Sequence, residues 1–125
     1  MTVKIYLRSI EQNGKKCLAM FDTNRNGAIN SLTTDVPAGA GVVWKTDRCS
    51  GIKSISRIYS KEGKGNIFKN GPKKLFLCKG FVLYVPKTAP VGEIEAYTIE
   101  YILHDDTKII IDPYIKIPPP PPPVT

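Results

Sequence analysis

From residue 94 to 103 the chain alternates in polarity. Tyr97, Ile99, Tyr101 and Leu103 would face one way, and Ala96, Thr98 and Glu100 the other. A two-residue period belongs to a strand with one buried face, because successive side chains of an extended chain point to opposite sides. The period recurs at the start, where Val3, Ile5 and Leu7 alternate with Lys4, Tyr6 and Arg8. Further short runs follow at 17–21, 28–33, 42–45, 75–78, 81–85, 108–111 and 114–117. Turn chemistry separates them: Asn13-Gly14, Asn26-Gly27, the 37–41 Pro/Gly stretch, Gly80, the 104–107 turn and an Asp112-Pro113 corner. Seven to nine short strands at such spacing predict an all-β, two-sheet antiparallel sandwich of the immunoglobulin or cupredoxin type.

Two segments resist this pattern. Ile52, Ile55 and Ile58 recur every third residue, a helical spacing in a β-branched stretch, so the segment reads as a strand or a single helical turn. Residues 60–73 read as a long basic loop. Leu75–Cys78 and Phe81–Val85 read as one strand bulged at Gly80.

The chain has 125 residues, which suits one core. The expected division is a sandwich over 1–117 and a proline-rich tail over 118–125. Six consecutive prolines, 118–123, cannot donate backbone hydrogen bonds and favour the polyproline II form. They serve either as a ligand for an aromatic groove or as a stiff end beyond the last strand. No run is apolar enough to span a bilayer and the first residues lack a signal-peptide pattern, so a cytoplasmic protein without a membrane partner is expected. Cys17, Cys49 and Cys78 are odd in number and widely spaced, which gives no complete disulfide framework. Cys17 and Cys78 read as small core residues.

Charge is unevenly placed. The net charge is +7. Residues 53–79 hold eight basic side chains against Glu62, and the remainder balances to zero. Residues 93–112 carry six acids against Lys108. Basic and acidic segments on different faces would favour head-to-tail contacts that can propagate. The basic segment also interleaves Tyr59, Phe68 and Phe76 with lysines. Lysines on phosphates and aromatics under bases are how single strands are held. Lys61, Lys64, Phe68, Lys69, Lys73 and Lys74 are therefore the candidate contacts to an anionic ligand, nucleic acid or acidic polysaccharide. A solvated lysine-rich loop is the plainer account of the same residues.

Other chemistry is thin. Asp22, Asn24 and Asn26, followed by Gly27 and Ile29, match the first part of a calcium loop, but Thr33 stands where the bidentate glutamate belongs. A tight turn wants the same residues. His104 is the single histidine, set in a turn beside Asp105 and Asp106. No serine sits in a Gly-x-Ser-x-Gly elbow, and Glu93 and Glu95 read as solvent-facing charge. No enzymatic activity and no cofactor are expected.

The stretch Thr34-Asp35-Val36, a glycine turn and Val42-Val43-Trp44 resembles a strand of cupredoxin-like domains. Tyr97–Tyr101, the acidic turn and Ile111-Asp112-Pro113 resemble small bacterial proteins of the DP-EP type, and more distantly the AidA/PixA inclusion-body proteins. The resemblance implies a bacterial sandwich without catalysis and, through the inclusion-body relatives, self-assembly. It does not imply copper, which needs two histidines and a cysteine. The function expected is a non-catalytic binding or self-associating protein. The alternatives are an anionic-ligand binder through 53–79 and a calcium-stabilised domain.

Overall fold

The computed structural model describes residues 1–46, 49–63, 65–75 and 80–120. Eleven strands are formed by these residues: β1 (Thr2–Gln12), β2 (Lys15–Asp22), β3 (Gly27–Ile29), β4 (Thr33–Asp35), β5 (Gly41–Thr46), β6 (Ile52–Ser60), β7 (Lys73–Lys74), β8 (Phe81–Tyr84), β9 (Ile94–Leu103), β10 (Lys108–Ile111) and β11 (Tyr114–Lys116). They make two sheets. The first runs β3-β2-β1-β5-β8-β7. In the second, β9 takes β6 on one side and β10 and β11 on the other, with β4 outside β11. One apolar core fills the space between them, so the chain is an all-β sandwich.

The sheets are mixed rather than purely antiparallel: β1 pairs with β5 in parallel, and so does β4 with β11. Alternation reports which face a residue occupies, not strand direction. Parallel neighbours need a crossover, and the crossover here passes through the opposite sheet. The run 28–33, expected as one strand, is the crossing point. Asn30 adopts a left-handed backbone (φ 66°). Its amide donates to the Leu18 carbonyl at 2.8 Å, and its side-chain oxygen accepts from the Leu18 amide at 2.8 Å. The chain then leaves the first sheet and enters the second as β4.

The three-residue spacing of β6 has a structural cause. Two register shifts, between Ile52 and Ser54 and between Ile55 and Arg57, each insert one unpaired residue. Ile52, Ile55 and Ile58 therefore all lie opposite the inward Leu103, Tyr101 and Ile99. Bulges convert a two-residue period into three. Asn13-Gly14 forms its hairpin with both residues at positive φ (52° and 78°), as the β1–β2 turn requires. Asp112-Pro113 does not turn the chain. Ile111 pairs with Ile99 and Tyr114 with Ala96, one register carried through the proline. Of the strand expected over Leu75–Val85, residues 76–79 lie outside the described residues; β8 covers Phe81–Tyr84, and the Leu75 amide donates to the Gly80 carbonyl at 2.9 Å.

The middle of the core is aromatic. Trp44 of the first sheet donates its indole N–H to the Tyr97 hydroxyl of the second at 3.0 Å. Their rings meet edge-on, with centroids 5.4 Å apart. Phe68 packs on both, at 6.2 Å from Trp44 and 5.2 Å from Tyr97. Burial pushes the Tyr97 pKa well above its ordinary value. Burial also raises Tyr101, to about 12, and its hydroxyl is buried without a hydrogen-bond partner among the described residues.

Phe68 thus belongs to the core rather than to a ligand surface. Phe68→Ala is expected to lower unfolding free energy by about 3–5 kcal/mol, and Tyr97→Phe by about 1 kcal/mol through the lost hydrogen bond. Urea titration followed by Trp44 fluorescence checks both.

Candidate functional site

Along β6 the basic segment does not stand apart from the acids. Strand β6 lies along β9, so its charges sit among the acids. Lys53 pairs with Asp106 at 2.8 Å, Arg57 with Glu100 at 3.7 Å and Lys61 with Asp112 at 3.3 Å. Glu100 also takes Lys108 at 2.7 Å. Arg57 lies 4.4 Å over the Tyr59 ring. The hydrogen bond from Lys108, followed by that from Tyr59, holds the Glu100 carboxyl below the usual range. The expected separation of basic and acidic faces therefore fails at β6: much of the opposition is satisfied within the outer face of the second sheet.

The loop after β6 is anchored. Ser60 Oγ donates to Glu95 Oε2 at 2.6 Å, and the Ile67 amide donates to Glu95 Oε1 at 3.1 Å. Ile67 and Phe68 then insert into the core, 0% and 6% exposed. Glu95, expected in solvent, is itself buried, because it holds a backbone amide that the core would otherwise leave unpaired. Gly65 passes so close that a Cβ there would collide with the Glu95 carboxylate. Asn66 donates to Glu93 at 3.0 Å. Ser60, Gly65, Glu93 and Glu95 rim a cleft of about 370 Å³ that also includes Glu62 and Tyr114. Its carboxylates make it unsuited to an anion.

Of the six anionic-ligand candidates, Lys61 is paired, Phe68 is in the core and Lys64 lies outside the described residues, as do Phe76 and Cys78. Lys69, Lys73 and Lys74 are exposed and have no ion-pair partner among the described residues. Lys73 and Lys74 form β7, the outermost strand of the first sheet.

The calcium-like motif is a turn closed by its own carboxylate. Asp22 Oδ1 accepts from the Asn24 and Asn26 amides at 2.9 and 3.1 Å. Asn24 donates its side-chain amide to the Asp35 carbonyl at 2.9 Å, tying the turn to β4. Asp22 Oδ2 is buried without a hydrogen-bond partner among the described residues. No group of three His, Cys, Asp or Glu side chains gathers among the described residues. His104 is exposed.

The surface that stands out is the outer face of the first sheet, read from its register. One row across the strands holds Gly27, Phe21, Tyr6 and Lys45. The next holds Lys4, Val43, Val82 and Lys73. A third holds Thr2, Gly41 and Tyr84. Toward the hairpin end lie Arg8 beside Ala19 and Ile29, and Ile10 beside Cys17. Phe21 is 48%, Ile29 42% and Tyr84 66% exposed. Ile10, Ala19, Phe21 and Ile29 line one shallow concavity with Arg8. An outward sheet face is ordinarily polar. This one is apolar and aromatic, and the charged side chains among its described residues in these rows are all basic.

Sequence reasoning placed Lys4, Tyr6 and Arg8 on a common side of their strand. It missed the face because Phe21, Val43, Lys45, Val82 and Tyr84 join them only through the β2-β1-β5-β8 pairing. Cys17, expected in the core, also lies on this face, half-buried.

The chain matches no protein-family model and no curated protein. No helix among the described residues is long and apolar enough to cross a membrane.

The Glu100 cluster gives a pH test. A carboxyl with a depressed folded-state pKa contributes stability above its unfolded pKa and loses it as pH falls through the folded value. Glu100→Gln should therefore flatten the acid limb of a melting-temperature profile below about pH 4.5. The Glu95 anchor gives another. Gly65→Ala should speed hydrogen exchange of the Ile67 amide while the β1–β2 amides keep their protection.

Proposed function

We propose that the chain is a non-catalytic binding domain that engages an anionic partner on the outer face of its first sheet. The observation that carries this is the composition of that face: basic and aromatic side chains, with no acid among the described residues of the rows. Lys4, Lys45 and Lys73 have no ion-pair partner among the described residues, so their charge is free to act on a ligand. Lys53, Arg57 and Lys61 are already partnered, which moves the reading from the 53–79 segment to the sheet. At its far edge the two meet in Lys73. Unbridged Cys17 and Cys49 support a reducing compartment such as a bacterial cytoplasm.

Retention on heparin measured against salt tests this. Replacing Lys4, Lys45 and Lys73 together by Gln should reduce the slope of log affinity against log salt by about 2–3. Replacing Lys53 and Lys61 should leave it nearly unchanged. An equal loss in both variants, or no retention of the parent, would sink the proposal.

Self-association is a second reading, favoured by the Ile10–Ala19–Phe21–Ile29 concavity beside β3, the open edge of the sheet. Contact through this apolar end should persist at high salt in sedimentation velocity and dissolve in Ile29→Lys. A monomer at both salts removes it.

A further inference from the structure

We infer that the anionic partner is single-stranded nucleic acid, its bases stacked on Phe21, Tyr6 and Tyr84 along a diagonal of the first sheet. This rests on the proposed use of that face and names its ligand.

The geometry comes from the register. Phe21 and Tyr6 are cross-strand partners. Val43 lies one strand over and one row along from Tyr6, and Tyr84 lies one strand and one row beyond Val43. Strands are about 4.8 Å apart and same-face residues about 6.8 Å apart along a strand, so the diagonal runs about 20 Å. That length accommodates several nucleotides, near the lower end of single-strand sites of about 4–16. Lys4 flanks the diagonal on one side and Lys45 on the other, where they can reach the phosphates of a strand whose bases lie on the rings.

The rings are placed for stacking. A Cβ at Gly27 would stand 3.1 Å from Phe21 Cδ1, and one at Gly41 would stand 3.6 Å from two Tyr84 ring carbons. Each ring leans over a glycine, where there is no side chain to prop it upright, and each remains about half or more exposed. A ring laid down on a sheet turns its other face to solvent, the arrangement a base needs.

The three rows contain no Asn, Asp, Gln or Glu. Recognition of sugar hydroxyls, or of base edges, calls on such amides and carboxylates. Their absence disfavours a polysaccharide and leaves stacking plus phosphate pairing, which tolerates any sequence. A peptide strand would add at an edge, but β3 is three residues long and β7 is two lysines, both poor templates. A duplex hides its base faces, so the rings would have no use.

Fluorescence anisotropy with labelled oligo(dT) and oligo(U) of about 12 nucleotides tests the inference, with duplex DNA and heparin as comparators. Single strands of either composition should bind with similar affinity and more tightly than duplex. Tyr84→Ala and Phe21→Ala should each weaken single-strand binding by about tenfold and leave heparin binding unchanged. Tyr84→Trp should restore it. Tyr84 is the more exposed ring, so its variant stays informative if Phe21→Ala lowers the melting temperature. Oligonucleotide binding indifferent to both ring substitutions would overturn the inference and leave the anionic-partner reading standing. Heparin binding as ring-dependent as oligonucleotide binding would overturn the nucleic-acid assignment. Binding to neither would overturn both readings.

Discussion

Trp44 and Tyr97 meet across the gap between the two sheets, and much else follows from how that meeting is completed. Each brings a polar group into an apolar space, where an unpaired donor or acceptor is costly. Each satisfies the other: the indole N–H donates and the phenol accepts. The pair leaves a side open, and Phe68 fills it from the loop after β6. Phe68 can reach only because Ile67 enters with it and the Ile67 amide finds a carboxylate, Glu95, waiting on β9. A buried carboxylate in this protein is therefore a structural acceptor. The loop after β6 is drawn inward by Ile67 and Phe68 while Lys61, Lys69 and Lys73 stay exposed.

The same strand decides the electrostatics. β9 carries Glu95 and Glu100, and β6 and β10 flank it with Arg57 and Lys108 on either side of Glu100. Thr98 and Lys61 engage Asp112 in the same way. The Lys61–Asp112 pair is exposed and adds little stability, whereas the Glu100 carboxylate is 6% exposed and would be costly to leave unpaired. The pairs also bear on what remains. Charge opposed within one face is not available to a neighbour, whereas Lys69 and Lys74 at the far edge, and Lys4, Lys45 and Lys73 on the outer face of the first sheet, have no ion-pair partner among the described residues.

The two-layer architecture was legible because alternation is a direct consequence of strand geometry. Val3, Ile5 and Leu7, and Tyr97, Ile99, Tyr101 and Leu103, are buried as their spacing demanded. The Asn13-Gly14 hairpin was legible because few residue pairs accept two positive φ angles. Other features were hidden for identifiable reasons. The bulges of β6 mimic a helical spacing. Strand direction leaves no mark on alternation, so the parallel β1–β5 pair could not be read. Phe68, amid lysines and glycines, carries no local sign of burial; its partners are 24 and 29 positions away. The outer face combines four strands that only the register assembles, and the basic 53–79 run drew attention away from it.

The sandwich thus has two unlike outer surfaces. On the second sheet, Lys53, Arg57, Lys61 and Lys108 are paired with acids. On the first, hydrophobic side chains occupy outward positions that would ordinarily be polar, and Lys4, Lys45 and Lys73 have no ion-pair partner among the described residues. Burying such a face against a copy of itself would bring Lys4, Lys45 and Lys73 near their own kind, which opposes a symmetric pair. The edges are closed to strand addition by shortness at β3 and by lysine at β7. What the face can accept without conflict is a partner that is flat and apolar where it meets the rings, and negative where it meets the lysines. An unpaired nucleic acid strand, the partner proposed for this face, has both properties in every residue.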